Sequence, residues 1–156
     1  MPPPSAARPS GLALLLSQLG SYVADEFARR LEPLDLTPAH VGVLRVLAFR
    51  PGISQAELAA TIGAVPSRVV KLLDELGDRG LVERRRSDTD RRNHEVHLAP
   101  AAHERLTAVL EVVRDHDRAI GAGMNAADRR VLLGLLQRLA ELRGVAGPGH
   151  PGYRGQ

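Results

Sequence analysis

The sequence predicts a mainly α-helical protein with six helices and one small β-hairpin. Three observations predict it. Apolar residues recur at three-and-four spacing along most of the chain. Helix start and stop chemistry brackets nearly every such stretch. The helical period disappears once, between Leu81 and Leu98, where two short runs flank a polar loop rich in Asp and Arg.

Taken in order, residues 2–10 hold Pro2, Pro3, Pro4 and Pro9, and residues 144–156 are dominated by glycine and proline, so neither end is expected to fold. The first helix is expected over Leu12 to Leu31, with Leu12, Leu15, Leu16, Leu19, Tyr22, Val23, Phe27 and Leu31 on one stripe that needs a partner. Thr37-Pro38 supplies a capping hydroxyl and a proline at the first helical position of a second helix; it buries Val41, Leu44, Val46 and Leu47 and stops at Pro51-Gly52. Ser54-Gln55-Ala56-Glu57 has the form of a capping box, with Ile53 and Leu58 placed as a hydrophobic staple, and this short helix ends at Gly63. Pro66 opens a fourth helix that turns Val69, Leu72, Leu73 and Leu76 inward; Gly80 ends it, with Leu81 packing back on its last turn. Two short helices joined by a tight turn form a helix-turn-helix.

The two strand-like runs, Leu81 to Arg86 and His94 to Leu98, make a hairpin with a long basic tip. Helical spacing resumes after Pro100 through Leu106, Val109, Leu110, Val113 and Ile120, and breaks at Gly121 and Gly123. A last helix starts at Asn125 and carries Val131, Leu132, Leu135, Leu136, Leu139 and Leu142.

Composition narrows the functions available. The 156 residues suffice for one hydrophobic core. No cysteine is present, which excludes disulfide scaffolds, thiolate metal sites, cysteine nucleophiles and thiol-based redox sensing. The formal charge is only +3, and Lys71 is the single lysine among 21 basic residues. Arginine offers planar, bidentate donors suited to phosphate and guanine. The apolar run Leu12 to Leu16 is too short for a signal core or a membrane span, which suggests a cytoplasmic protein with no membrane partner.

The order of motifs is the informative feature: a capped short helix, a turn, a second helix, then at once a hairpin concentrating Arg84, Arg85, Arg86, Arg91 and Arg92 against Asp88 and Asp90. A helix starting at Pro66 presents Ser67, Arg68 and Lys71 near its N-terminus, away from Leu72, Leu73 and Leu76, where a recognition helix reaches base edges. An arginine-bearing hairpin tip suits the negative potential of the minor groove. The architecture is thus a winged helix-turn-helix, with double-stranded DNA as the expected partner. Ser54, Gln55, Ser67, Arg68, Lys71, Arg84, Arg86, Asp90, Arg91 and Arg92 are the candidate contacts. The competing reading is a winged helix that docks an acidic protein partner.

These segments resemble the MarR (multiple antibiotic resistance regulator) family of bacterial regulators, over roughly Leu12 to Arg143. The likeness is strongest where Pro66-Ser67-Arg68-Val69-Val70-Lys71-Leu72-Leu73-Asp74-Glu75-Leu76 runs into Arg79-Gly80-Leu81-Val82-Glu83-Arg84 and then Asp88-Thr89-Asp90-Arg91-Arg92. Asp-Arg-Arg at the hairpin tip is the specific part. The resemblance implies a transcription regulator, expected to repress, that binds a pseudo-palindromic operator as a homodimer. It implies that Ser67, Arg68 and Lys71 face the major groove, that Arg91 or Arg92 enters the minor groove, and that Asp90 braces the loop. Residues 37–99 are then the DNA-binding unit, with residues 11–36 and 100–143 interlocking with a second chain between tails at 1–10 and 144–156. The sequence departs from the family at Ala99 and Val65, where a polar residue commonly stands before a helix.

The resemblance also implies a small-molecule effector, phenolic or otherwise aromatic, held between the first two helices and the fifth. Tyr22, Phe27, His40 and Arg45 are its candidates. Each has an ordinary alternative: core packing for the aromatics, solvated surface for the others. His94 and His97 fall on opposite faces of a strand, and His103 and His116 are too far apart to share a turn, so no local metal-ligand pair forms. Ser54 and Ser67 are explained by helix starts and the glycines by helix ends and tails, so no catalysis and no cofactor are expected.

Overall fold

In the computed structural model, which describes residues 11–86 and 94–145, the elements follow as α1 (Leu12–Leu31), a 3-10 turn (Glu32–Leu34), α2 (Pro38–Phe49), β1 (Ile53–Ser54), α3 (Gln55–Ile62), α4 (Pro66–Asp78), β2 (Val82–Arg86), β3 (His94–Leu98), α5 (Ala102–Ile120) and α6 (Ala126–Leu142). This is the mainly helical, winged architecture that the motif order predicts. The tails over 1–10 and 146–156 and the hairpin tip over 87–93 lie outside the described residues.

Capping chemistry sets the boundaries. At α2 the Thr37 hydroxyl accepts the His40 backbone N–H at 3.3 Å, and His40 Nδ1 accepts the Thr37 N–H at 3.1 Å. This is a capping box with histidine in the place usually held by Glu or Gln. At α3 the expected box is formed: the Glu57 N–H donates to Ser54 Oγ, and Glu57 Oε2 accepts from both the Ser54 N–H and its hydroxyl. The α4 start has no side-chain cap, as the valine at position 65 requires.

At the end of α4, Gly80 adopts φ +66°, a left-handed conformation that costs glycine no steric strain. The Leu81 N–H then donates to the Leu76 carbonyl and the Gly80 N–H to that of Gly77, with Leu76 and Leu81 both buried. Gly144 and Val145 close α6 in the same way, their N–H groups donating to the Glu141 and Ala140 carbonyls, so two residues that composition assigns to the tail cap the last helix.

The strands form an antiparallel sheet in the order β1-β3-β2. In the hairpin, Val82 pairs with Leu98, Arg84 with Val96 and Arg86 with His94. The third strand, β1, is two residues long and pairs Ile53 with Val96 and Ser54 with Glu95. It ties the start of the helix-turn-helix to the wing, and the one-dimensional pattern does not reveal it.

One core lies between α2, α3, α4 and the sheet, and reaches the C-terminal part of α1 and the N-terminal part of α5. Leu31, Val43, Leu44, Leu58, Val69, Leu76 and Val96 are among its fully buried members. Removing a buried leucine forfeits its transfer energy and leaves a cavity, so Leu73→Ala is expected to destabilise the fold by about 2–5 kcal/mol, read as a fall in the urea midpoint.

Candidate nucleic-acid interface

Helix α4 has two unlike faces. Val69, Leu72, Leu73 and Leu76 are buried, while Ser67, Val70, Lys71 and Asp74 are exposed, Lys71 by 78% of its side chain. No side chain caps its N-terminus; Pro66 has no N–H to satisfy there, and the Arg68 N–H donates to the Val65 carbonyl at 3.0 Å. Arg68 is half-buried, and its Nε is shut from solvent with no hydrogen-bond partner. A buried guanidinium donor without an acceptor is costly. Lys71 Nζ stands 3.8 Å from Glu75 Oε1, one turn along the helix.

The wing is tied to this helix. Arg84 Nη2 pairs with Asp74 Oδ1 at 2.7 Å and lies 3.4 Å from the Val70 carbonyl. That bridge orients β2 against α4, so Arg84 has a positioning role beside any contact it makes with a ligand. Arg85 pairs with Glu83; Arg86 is exposed at the strand end. Ser54 and Gln55 sit where α3 begins, with the Ser54 hydroxyl engaged in the capping box. Its bond to the Glu57 carboxylate holds that carboxyl below its ordinary range. Asp90, Arg91 and Arg92 lie outside the described residues.

A chain of polar contacts joins α4 to the α1–α2 connection. His40 is 2% exposed; its Nε2 lies 2.7 Å from Glu75 Oε2. With Nδ1 accepting the Thr37 amide, the imidazole carries its proton on Nε2 and donates to the carboxylate. Arg79, just past α4, donates from Nη1 to the Glu75 carbonyl and from Nε to both the carbonyl and the carboxylate of Asp35. Asp35 has φ +52°, and the Arg79 hydrogen bond, reinforced by its charge, lowers the Asp35 pKa.

The four effector candidates sit in unlike surroundings. Tyr22 and Arg45 are exposed, His40 is enclosed with both nitrogens engaged, and Phe27 is buried between α1 and α5. There the Phe27 ring meets His116, with centroids 5.3 Å apart and planes at 34°. Both His116 ring nitrogens and Arg30 Nε are buried without a hydrogen-bond partner. Burial, aided by the Arg30 cation, holds the His116 imidazole below its ordinary value, against the pull of Glu26 and Asp117. His116 and Arg30 escape sequence reasoning because α1 and α5 meet only through tertiary packing. No group of three or more His, Asp or Glu placed to hold a metal occurs among the described residues, and no described helix is long and apolar enough to cross a membrane.

The MarR family model matches residues 34–93, the span from the α1–α2 connection to the edge of the wing. A protein of Thauera aromatica assigned to transcriptional regulation of the hcr operon is 34% identical over 136 residues, which is 86% of this chain and 81% of that protein. The transcriptional repressor CouR, solved bound to a 23-mer DNA duplex, superposes with a TM-score of 0.74 at 32% identity, over 83% of this chain and 92% of that one. Rv2887 of Mycobacterium tuberculosis, a MarR family protein solved with p-aminosalicylic acid, superposes with a TM-score of 0.68 at 29% identity, over 84% of this chain and 99% of that one.

His116 makes the fold sensitive to acid. Its folded-state pKa is lowered from the ordinary 6.5, so the unfolded chain binds the proton more readily and stability falls as pH drops below that value. The loss levels off once the folded-state imidazole is also protonated. Urea midpoints measured at neutral pH and one unit below the ordinary histidine value should show this decline in the wild type and a smaller one in His116→Leu.

Proposed function

The chain belongs to the MarR family of transcription regulators, and on that premise we propose that it binds double-stranded DNA sequence-specifically as a homodimer, represses transcription from a pseudo-palindromic operator, and is released by an aromatic small molecule. The observation that carries the reading is α4: one face is locked in the core, and the other offers Ser67, Arg68 and Lys71 beside an uncapped N-terminus. In this reading Ser67, Arg68 and Lys71 face the major groove, Ser54 and Gln55 lie at its edge, and Arg84 and Arg86 meet the backbone. In the same reading Arg91 or Arg92 enters the minor groove and Asp90 braces the loop. The kinship with CouR, which is solved on DNA, supports it. The protein acts by binding alone, without catalysis, in the cytoplasm.

Homodimerisation is supported by the apolar surface a single chain leaves open. Leu12, Leu15 and Leu19 on α1, Leu110 and Ile120 on α5, and Val131, Leu135 and Leu142 on α6 are all exposed. A groove of about 480 Å³ between the end of α5 and α6 is lined by Ile120, Met124, Leu132, Leu133 and Leu136. So much apolar surface left open is unfavourable in water and supports an interface. In this reading residues 11–36 and 100–143 form it, and residues 37–99 are the DNA-binding unit.

For the effector, Rv2887 with bound p-aminosalicylic acid supports an aromatic acid. In this chain Phe27, the His116 ring, whose nitrogens lack hydrogen-bond partners, and Arg30, loosely paired with Glu26 at 3.7 Å, are better placed to receive one than Tyr22, His40 or Arg45.

Fluorescence anisotropy with duplexes from the region upstream of its own gene tests the reading. Affinity should fall steeply and linearly in log–log form with salt, because phosphate contacts release counterions. Arg68→Ala should cost about 1–3 kcal/mol at particular base pairs and leave non-specific duplex nearly unaffected. Equal loss on every sequence would remove Arg68 as a base reader. Light scattering at micromolar concentration should give twice the chain mass of 16.8 kDa; a stable monomer contradicts the dimer.

A further inference from the structure

We infer that His40 is a positioning residue for DNA reading: it restrains the Glu75 carboxylate so that Lys71 keeps its ammonium group available to the duplex. The inference rests on the reading of Lys71 as a DNA contact. Its basis is the geometry of one carboxylate shared between two partners. Glu75 Oε2 lies 2.7 Å from His40 Nε2, while Oε1 stands 3.8 Å from Lys71 Nζ. The first distance is that of a charge-assisted hydrogen bond; the second is a loose ion pair, too long for a hydrogen bond.

The restraint is firm on one side only. The His40 side chain is 3% exposed and the Glu75 side chain 35%. The imidazole cannot swing away, because its Nδ1 is engaged by the Thr37 amide at the start of α2. Glu75 has the freedom to turn about its own side-chain bonds. Without His40 the carboxylate can close on Lys71, which lies four residues back on the same helix face. A closed pair neutralises the cation and competes with phosphate or a base edge for it. Arg79 does not substitute for His40, since it binds the Glu75 main-chain carbonyl and Asp35. His40, which the sequence offered as an effector candidate, thereby becomes part of the frame behind the reading helix.

Two isosteres separate this role from simple support of the fold. His40→Asn puts an oxygen near the place of Nδ1, keeping the acceptor for the Thr37 amide, and withdraws the donor to Glu75. His40→Gln puts an N–H donor near the place of Nε2 and gives up the acceptor. Binding is measured by anisotropy on a duplex that the wild type binds, well below the melting temperature of each variant. His40→Asn should weaken binding about tenfold, in the range of coupling between neighbouring side chains, and His40→Gln should restore most of it. In the Lys71→Ala background the same His40→Asn change should have no effect. Equal loss in Asn and Gln, or a His40→Asn loss that persists without Lys71, overturns the inference.

Glu75→Gln gives a second test should His40→Asn fail to fold. It removes the charge that His40 restrains while leaving an acceptor for the imidazole. It should bind the duplex more tightly than the wild type, and the gain should vanish when Lys71 is also replaced by Ala. A gain that survives the loss of Lys71 reports general repulsion of DNA, and weaker binding reports structural damage; either overturns the inference. If the wild type binds no duplex at all, the DNA-binding reading fails first and takes this one with it.

Discussion

The rest of the structure depends on the packing of one face of α4 into the core. Val69, Leu72, Leu73 and Leu76 are buried on that face, against α2, α3 and the second strand. Burying such side chains is worth about 1.5–3 kcal/mol each relative to leaving them exposed. That energy fixes the rotation of the helix about its own axis. Once the rotation is fixed, Ser67 and Lys71 must point outward and Arg68 must lie at the boundary. Surface chemistry therefore follows from core chemistry: a polar residue introduced at Leu72 or Leu73 would disturb the outward face without touching it.

Polar ties then refine the position of a helix that the core has already placed. Arg79 joins the end of α4 to Asp35, Arg84 joins its exposed side to the wing through Asp74, and His40 joins its middle to the start of α2 through Glu75. Exposed ion pairs of the first two kinds contribute about 0–1 kcal/mol, too little to hold a helix against its packing. Their effect is on orientation. The buried imidazole is different, since both its nitrogens are engaged in a place water does not reach, and losing either bond leaves an unsatisfied group. Together the three contacts link the reading helix to the loop before α2, to the start of α2 and to the hairpin.

The parts of this arrangement that were legible in the sequence are those written in local chemistry. Thr37-Pro38, the Ser54 to Glu57 box, Gly63 and Gly80 mark helix ends because capping involves residues only a few positions apart. The inward face of α4 was legible for the same reason, from its three-and-four spacing. What was not legible depends on residues far apart in the chain. β1 is too short to show alternation and exists only because Val96 and Glu95 lie beside it. The His40–Glu75 bond spans 35 positions and the Arg79–Asp35 bond 44. The meeting of Phe27 with His116 has no signal in either helix alone. Gly144 and Val145 read as tail by composition, yet they satisfy the last carbonyls of α6.

The unpaired apolar faces of α1, α5 and α6 and the outward face of α4 belong to one account: the first set brings two chains together, and the pairing sets the separation of the two reading helices. Hydroxyl-radical footprinting of the protein on DNA from its own upstream region tests that account most directly. Protected patches should lie on one face of the duplex, related by a two-fold axis and spaced by about one helical turn, near 34 Å, or a multiple of it. Protection of a single half-site, or uniform protection with no repeat, would contradict it.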